Sequence, residues 1–130
     1  MEPEKPYRHN IGNAGEYYMA SGLSTRGFTT TVTLGRAEKY DLIAINPKGK
    51  ACKIQVKTLW GTGNVWRMGI KDGKNPHKDL FYAFVRLNDL KKDAAPEYWI
   101  FPSKLVAPYI EEGHKIWKSR KGVDGQKHKD

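Results

Sequence analysis

The sequence contains a single cysteine, Cys52, so no internal disulfide can form. Its four histidines, His9, His77, His114 and His128, show no paired spacing of the kind a zinc site uses. No apolar run approaches the roughly 18–20 residues that a membrane span needs, so no membrane partner is expected. Heptads and internal repeats are absent, which excludes a coiled coil or a solenoid. No Ser/His/Asp grouping stands out. Gly12-x-x-Gly15 and Gly61-x-Gly63 lack the rest of a phosphate-loop pattern and read as a helix entry and a turn. The first six residues do not follow the basic-then-apolar order of a signal peptide, so the expected location is the cytoplasm.

What remains is enough for one folded domain. The chain has 130 residues, 38% of them apolar, with 4 Trp, 7 Tyr and 4 Phe. That composition argues against intrinsic disorder and allows a core without staples. Acidic residues are in short supply: 14 Asp and Glu face 23 Lys and Arg, for a net charge of +9. Such an excess favours an acidic partner, because counterion release rewards each phosphate neutralised. One basic group lies after His114, at Lys115, Lys118, Arg120, Lys121, Lys127 and Lys129. A second, Lys53, Lys57, Arg67, Lys71, Lys74 and Lys78, is interleaved with Trp60 and Trp66. Charge alone is equally compatible with a solubilised surface.

The order of elements suggests an α/β domain. Ile11, Ala14, Tyr18 and Leu23 form a helical stripe, with Asn13 as the expected N-cap and Gly27 beyond the end. Residues 28–33 and 40–45 read as strands. Asn46-Pro47-Lys48-Gly49 is a tight-turn signal, and residues 51–59 complete a hairpin. Residues 65–70, 80–87 and 98–101 read as further strands, with loop between 71 and 79. Ser103 is placed to cap a last helix running to residues 109–112 and resuming toward Trp117, with Pro108 as a kink.

Chemistry concentrates in the hairpin. On a two-residue period Lys53, Gln55 and Lys57 share one face of the third strand, and Cys52, Ile54 and Val56 share the other. The second set belongs in the core. The first places polar groups in the middle of an apolar strand, which is costly unless they are paired or bind something. Asp41 opens the neighbouring strand and lies within reach of Gln55 and Lys57. Taken singly, each has an ordinary reading: Asp41 as a partner of Lys57, Gln55 as a satisfied polar residue, Lys57 as a snorkelling side chain, Glu16 as a surface acid.

Taken together, Glu16, Tyr40-Asp41-Leu42-Ile43 and Ile54-Gln55-Val56-Lys57-Thr58 resemble the PD-(D/E)XK nuclease superfamily. There a helix Glu precedes a strand with an Asp, and a hairpin then delivers (D/E)-x-K. The resemblance is close over residues 11–59. The segment Tyr98-Trp99-Ile100-Phe101-Pro102-Ser103 looks like that of small bacterial members, and Holliday junction resolvases have a similar core. Two features depart from the pattern: Gln55 replaces the acid before x-K, and no helix is evident after the third strand.

The resemblance implies a restriction-endonuclease-like fold, a central mixed sheet flanked by helices over residues 11–118. Residues 1–10 would be a lead-in and residues 119–130 a basic tail. It implies a metal-dependent DNA endonuclease, with Glu16, Asp41, Gln55 and Lys57 as the catalytic set. Asp41, Gln55 and the Val56 carbonyl would ligate Mg²⁺, with Mn²⁺ as a substitute, since hard cations take oxygen ligands and few protein groups suffice. Lys57 would orient or deprotonate water or offset transition-state charge, and Glu16 would hold a second metal or position the water. Lys53, Arg67, Lys71, Lys74 and Lys78 would bind the DNA. A homodimer is compatible with this reading. The alternatives are a degenerate member that binds nucleic acid without cutting, and a small interaction domain.

Overall fold

The computed structural model describes residues 5–33, 40–69, 77–87 and 95–119, the side chains of 114–119 excepted. Helix α1 (Arg8–Thr25) leads into β1 (Thr29–Val32), β2 (Leu42–Ile45) and β3 (Ala51–Trp60). Then come β4 (Leu80–Leu87), β5 (Glu97–Pro102) and helix α2 (Ser103–Ser119). The strands form one sheet in the order β1-β2-β3-β4-β5, antiparallel throughout except for the parallel pair β3–β4. This is the mixed sheet flanked by two helices expected from the sequence. Among the described residues no helix is long and apolar enough to cross a membrane.

Helix α1 buries Ile11, Gly15, Met19 and Leu23, a row with a strict spacing of four. It lies over Leu42, Ala44, Ile54, Val56, Ala83 and Val85, which form the main core with it. Gly15 is required there, because a Cβ would overlap the Thr58 hydroxyl and come within 2.9 Å of the Thr58 Cβ and Cγ2. The helix ends in a Schellman arrangement: Gly27 adopts φ +92°, its N–H bonds the Ser24 carbonyl, and Phe28 N–H bonds the Leu23 carbonyl. On the opposite sheet face Leu80 and Tyr82 are buried. Helix α2, with buried Ala107 and Ile110, packs against β4 and β5.

Several expectations need correction. Helix α1 starts at Arg8, and its N-cap is Tyr7 with no side-chain cap bond, so Asn13 is an exposed residue inside the helix. Ala14 is likewise exposed; the buried row runs through Gly15 and Met19 because close approach to β3, rather than side-chain bulk, sets the contact face. Residues 65–69 are irregular rather than strand, since the Trp66 indole N–H bonds the Val85 carbonyl of β4 in place of a ladder. Cys52 is only half-buried, near the turn end of β3. Helix α2 runs unbroken through Pro108 to Ser119, and the Ser103 hydroxyl is engaged with the His77 N–H and carbonyl. The segment 70–76, with Lys71 and Lys74, lies outside the described residues, as do residues 120–130.

Candidate active site

The hairpin turn fixes where everything else falls. Asn46 Oδ1 accepts from the N–H groups of Lys48 and Lys50, each at 2.9 Å, and Gly49 takes φ +87°. The register that follows pairs Leu42 with Ile54 as the last rung of β2 on β3. One step further Asp41 stands opposite Gln55. Asp41 N–H still donates to the Ile54 carbonyl at 2.8 Å. The next donor, Val56 N–H, has lost its strand neighbour and bonds Asp41 Oδ2 instead, at 2.8 Å. A carboxylate thus takes the place of a backbone acceptor, which leaves no orphan amide and holds the Asp41 side chain in one orientation.

Helix α1 carries Glu16 to the same place. The Gly15–Thr58 approach brings the helix down on β3, and the following residue, Glu16, hydrogen-bonds the Asp41 carboxyl. Burial pushes the Glu16 pKa up from 4.5 to about 7, and the Asp41 charge and their shared hydrogen bond push the same way. Two carboxyl groups held side by side are a donor set a hard divalent cation can take over. Among the described residues no group of three or more His, Cys, Asp or Glu side chains forms a metal site. The protein's own contribution is this acid pair, with the Gln55 and Val56 oxygens as neutral additions.

Lys57 follows on β3, half-buried and in register with Phe84 of β4. It lines a cleft of about 690 Å³ between the start of α1 and residues 65–67. Lys5, Arg8 and Arg67 line it too, and no carboxylate does. Glu16, Asp41 and Gln55 stand outside this lining. Val56 belongs to both regions, lining the cleft and donating its N–H to Asp41, so acid pair and cationic cleft adjoin along β3. Gln55 is half-buried and in register with Tyr82. Lys53 is exposed, its ammonium 5.0 Å from the Tyr40 ring centre, and Lys78 is exposed at the turn before β4.

The wall containing Arg67 is anchored by Arg86 of β4. Its guanidinium bonds the Gly63 carbonyl at 3.1 Å, the Asn64 side chain, and Glu97 of β5 at 2.8 Å, and lies over the Trp99 ring. Lys5, Tyr7 and Arg8 escaped the sequence reading because they precede the apparent helical stripe. The signal was present: two cations around an aromatic is the same interleaving that marks residues 53–78.

A family model described as PD-(D/E)XK endonuclease matches residues 7–84, from the N-cap of α1 to the middle of β4. No curated protein and no solved structure matches the chain. The match spans more than half of the sequence and contains Glu16, Asp41, Gln55 and Lys57. The chain belongs to this family, whose members are nucleases that generally use divalent metals.

Proposed function

We propose that this member of the PD-(D/E)XK endonuclease family is a metal-dependent DNA endonuclease that hydrolyses phosphodiester bonds with Glu16, Asp41, Gln55 and Lys57. The observation that carries the reading is the placement of the Glu16–Asp41 acid pair at the open edge of β3, next to a cationic cleft that Val56 also lines. Surface acids do not pair with each other in a half-buried place without cost, so the arrangement is better explained by a cation than by stability.

Asp41 and Glu16, with oxygens from Gln55 and Val56, would hold Mg²⁺ or Mn²⁺; when bound, the ion supplies charge on the phosphate oxygens and a more acidic water. The remaining work falls to the chain. Asp41 is preorganised, because Val56 N–H fixes one carboxylate oxygen before anything binds. Glu16 must give up its proton for the acid pair to act as a dianion, so cation binding by the free protein strengthens as pH rises toward about 7. Lys57, in the cleft wall, meets the phosphate and offsets the charge that grows on it in the transition state, or takes the proton of the attacking water. Lys53, Arg67, Lys71, Lys74 and Lys78 would carry the flanking phosphates.

The neutral Gln55 favours one second reading, a degenerate member that binds DNA without cutting. A cleavage screen decides between them, using plasmid, single-stranded, flapped and four-way DNA with and without Mg²⁺ or Mn²⁺. The expected result is metal-dependent cleavage by the wild type, lost in Asp41→Asn while DNA affinity is largely kept. Cleavage at the wild-type rate by Asp41→Asn overturns the site, and no cleavage of any substrate leaves the binding-only reading.

A further inference from the structure

The cleft beside Lys57 has a shape and lining that the hydrolytic chemistry does not by itself require. Its lining carries cations from two parts of the chain, Lys5 and Arg8 at the start of α1, Lys57 and Arg67 from β3 and the segment after it. At about 690 Å³ it is a half-open cleft rather than a flat face, wide enough for one strand and its bases. The three aromatic residues of the lining divide sharply. Trp60 packs against the core, and Trp66 is committed through its N–H to Val85 and edge contacts with Phe84 and Trp99. Tyr7 is 78% exposed, its ring stacked, among the described residues, on the His9 ring at 6.4 Å, and Val65 is 77% exposed. An aromatic ring and an aliphatic side chain held in water among cations form the pattern of single-strand sites, where the groove takes the backbone and a ring takes a base.

Resting on the nuclease reading above, we infer that the substrate is DNA with an unpaired stretch. One strand lies in the cleft, its phosphates on Lys5, Arg8 and Arg67 and a base against Tyr7 and Val65. The next phosphate then passes Lys57 to the acid pair, because Val56 both lines the cleft and bonds Asp41. A fully paired duplex presents no unstacked base to Tyr7 and fits only by fraying.

The test is fluorescence anisotropy of the full chain in EDTA with a labelled thymidine 12-mer and a blunt duplex of the same length. The single strand is expected to bind at least about tenfold more tightly. Tyr7→Ala should weaken the single strand by about five- to a hundredfold, the range of a lost base–aromatic stack, and leave the duplex unchanged. Tyr7→Phe should keep the preference, which separates stacking from any loss of fold, as circular dichroism of both variants checks. Arg8→Gln and Arg67→Gln should each lower the salt slope on the single strand by about 0.7. Tighter duplex binding, or equal losses on both substrates with Tyr7→Ala, overturns the inference, and a uridine 12-mer that binds more tightly overturns the assignment to DNA. Binding without metal is blind to cleavage. A strand preference without any cleavage therefore overturns only the nuclease reading, and cleavage with a duplex preference overturns only this one.

Discussion

The two ends of β3 differ in how their edges are covered. At its start, Ala51 to Ile54 pair with β2. From Gln55 onward β3 is paired by β4 alone; the Asp41 carboxylate takes the place of β2 at Val56, and α1 lies over the Thr58 side chain. The first part is ordinary sheet, with alternating burial and a lysine resting on Tyr40. The second collects the acid pair, Lys57, and a Thr58 hydroxyl that is buried without a hydrogen-bond partner. The lesson concerns backbone accounting. Where a strand loses a neighbour, its amides must find side-chain partners, and a carboxylate recruited for that purpose is held rigidly enough for chemistry.

The largest effect is expected at the recruited carboxylate. Asp41→Asn keeps an oxygen for Val56 N–H but loses the charge, so stability should hold while metal-dependent cleavage falls by about a hundred- to a thousandfold or more, read from initial rates. Asp41→Ala should lose both, with about 1–3 kcal/mol of stability gone because Val56 N–H is then orphaned. If both variants are equally stable in urea, the carboxylate is not serving the backbone.

Next comes the helix contact. Gly15→Ala should cost about 1–3 kcal/mol, because the added methyl overlaps Thr58 and α1 must lift. Adding Thr58→Ala removes the hydroxyl and Cγ2 and should restore part of the loss; an unchanged double mutant would mean that the contact is not tight. Arg86→Lys should cost about 1 kcal/mol and loosen the Arg67 wall, since an ammonium cannot serve Gly63, Asn64 and Glu97 together. Its thermal midpoint and single-strand affinity should fall together.

The smallest effect is a change of slope. Glu16 titrates near 7 in the fold against 4.5 ordinarily, so between those values the folded state binds more protons than the unfolded. Its contribution is fully present below about 4.5 and is lost as pH rises through about 7. Glu16→Gln should flatten that decline in metal-free urea titrations between pH 5 and 8. A slope identical to wild type would mean that the carboxyl is solvated rather than paired.

The hairpin was the most legible part of the fold. Its turn chemistry is local, and its two-residue alternation leaves Asp41 and Lys57 only one arrangement relative to Ile54. Segment 65–69 misled because Val65, Trp66 and Met68 have strand-like composition, yet the Trp66 indole N–H bonds the Val85 carbonyl of the interior strand β4 instead of a ladder forming. The helical stripe misled because Gly15, without a side chain, registers as a breaker when counted by bulk. In the fold it is the closest contact that α1 makes with β3.

Sequence alone determined the hairpin, the identity of the acid, amide and lysine on it, and the excess of positive charge, since each depends on residue type and near spacing. Tertiary structure alone decided that Glu16 meets Asp41, that their closeness moves a pKa to about 7, and that Tyr7 and Arg8 face Arg67 across a cleft. The physical reason is distance along the chain. Turn hydrogen bonds and periodicity act over a few residues, whereas burial, charge coupling and long-range hydrogen bonds act between groups that only the packed helix and sheet bring together.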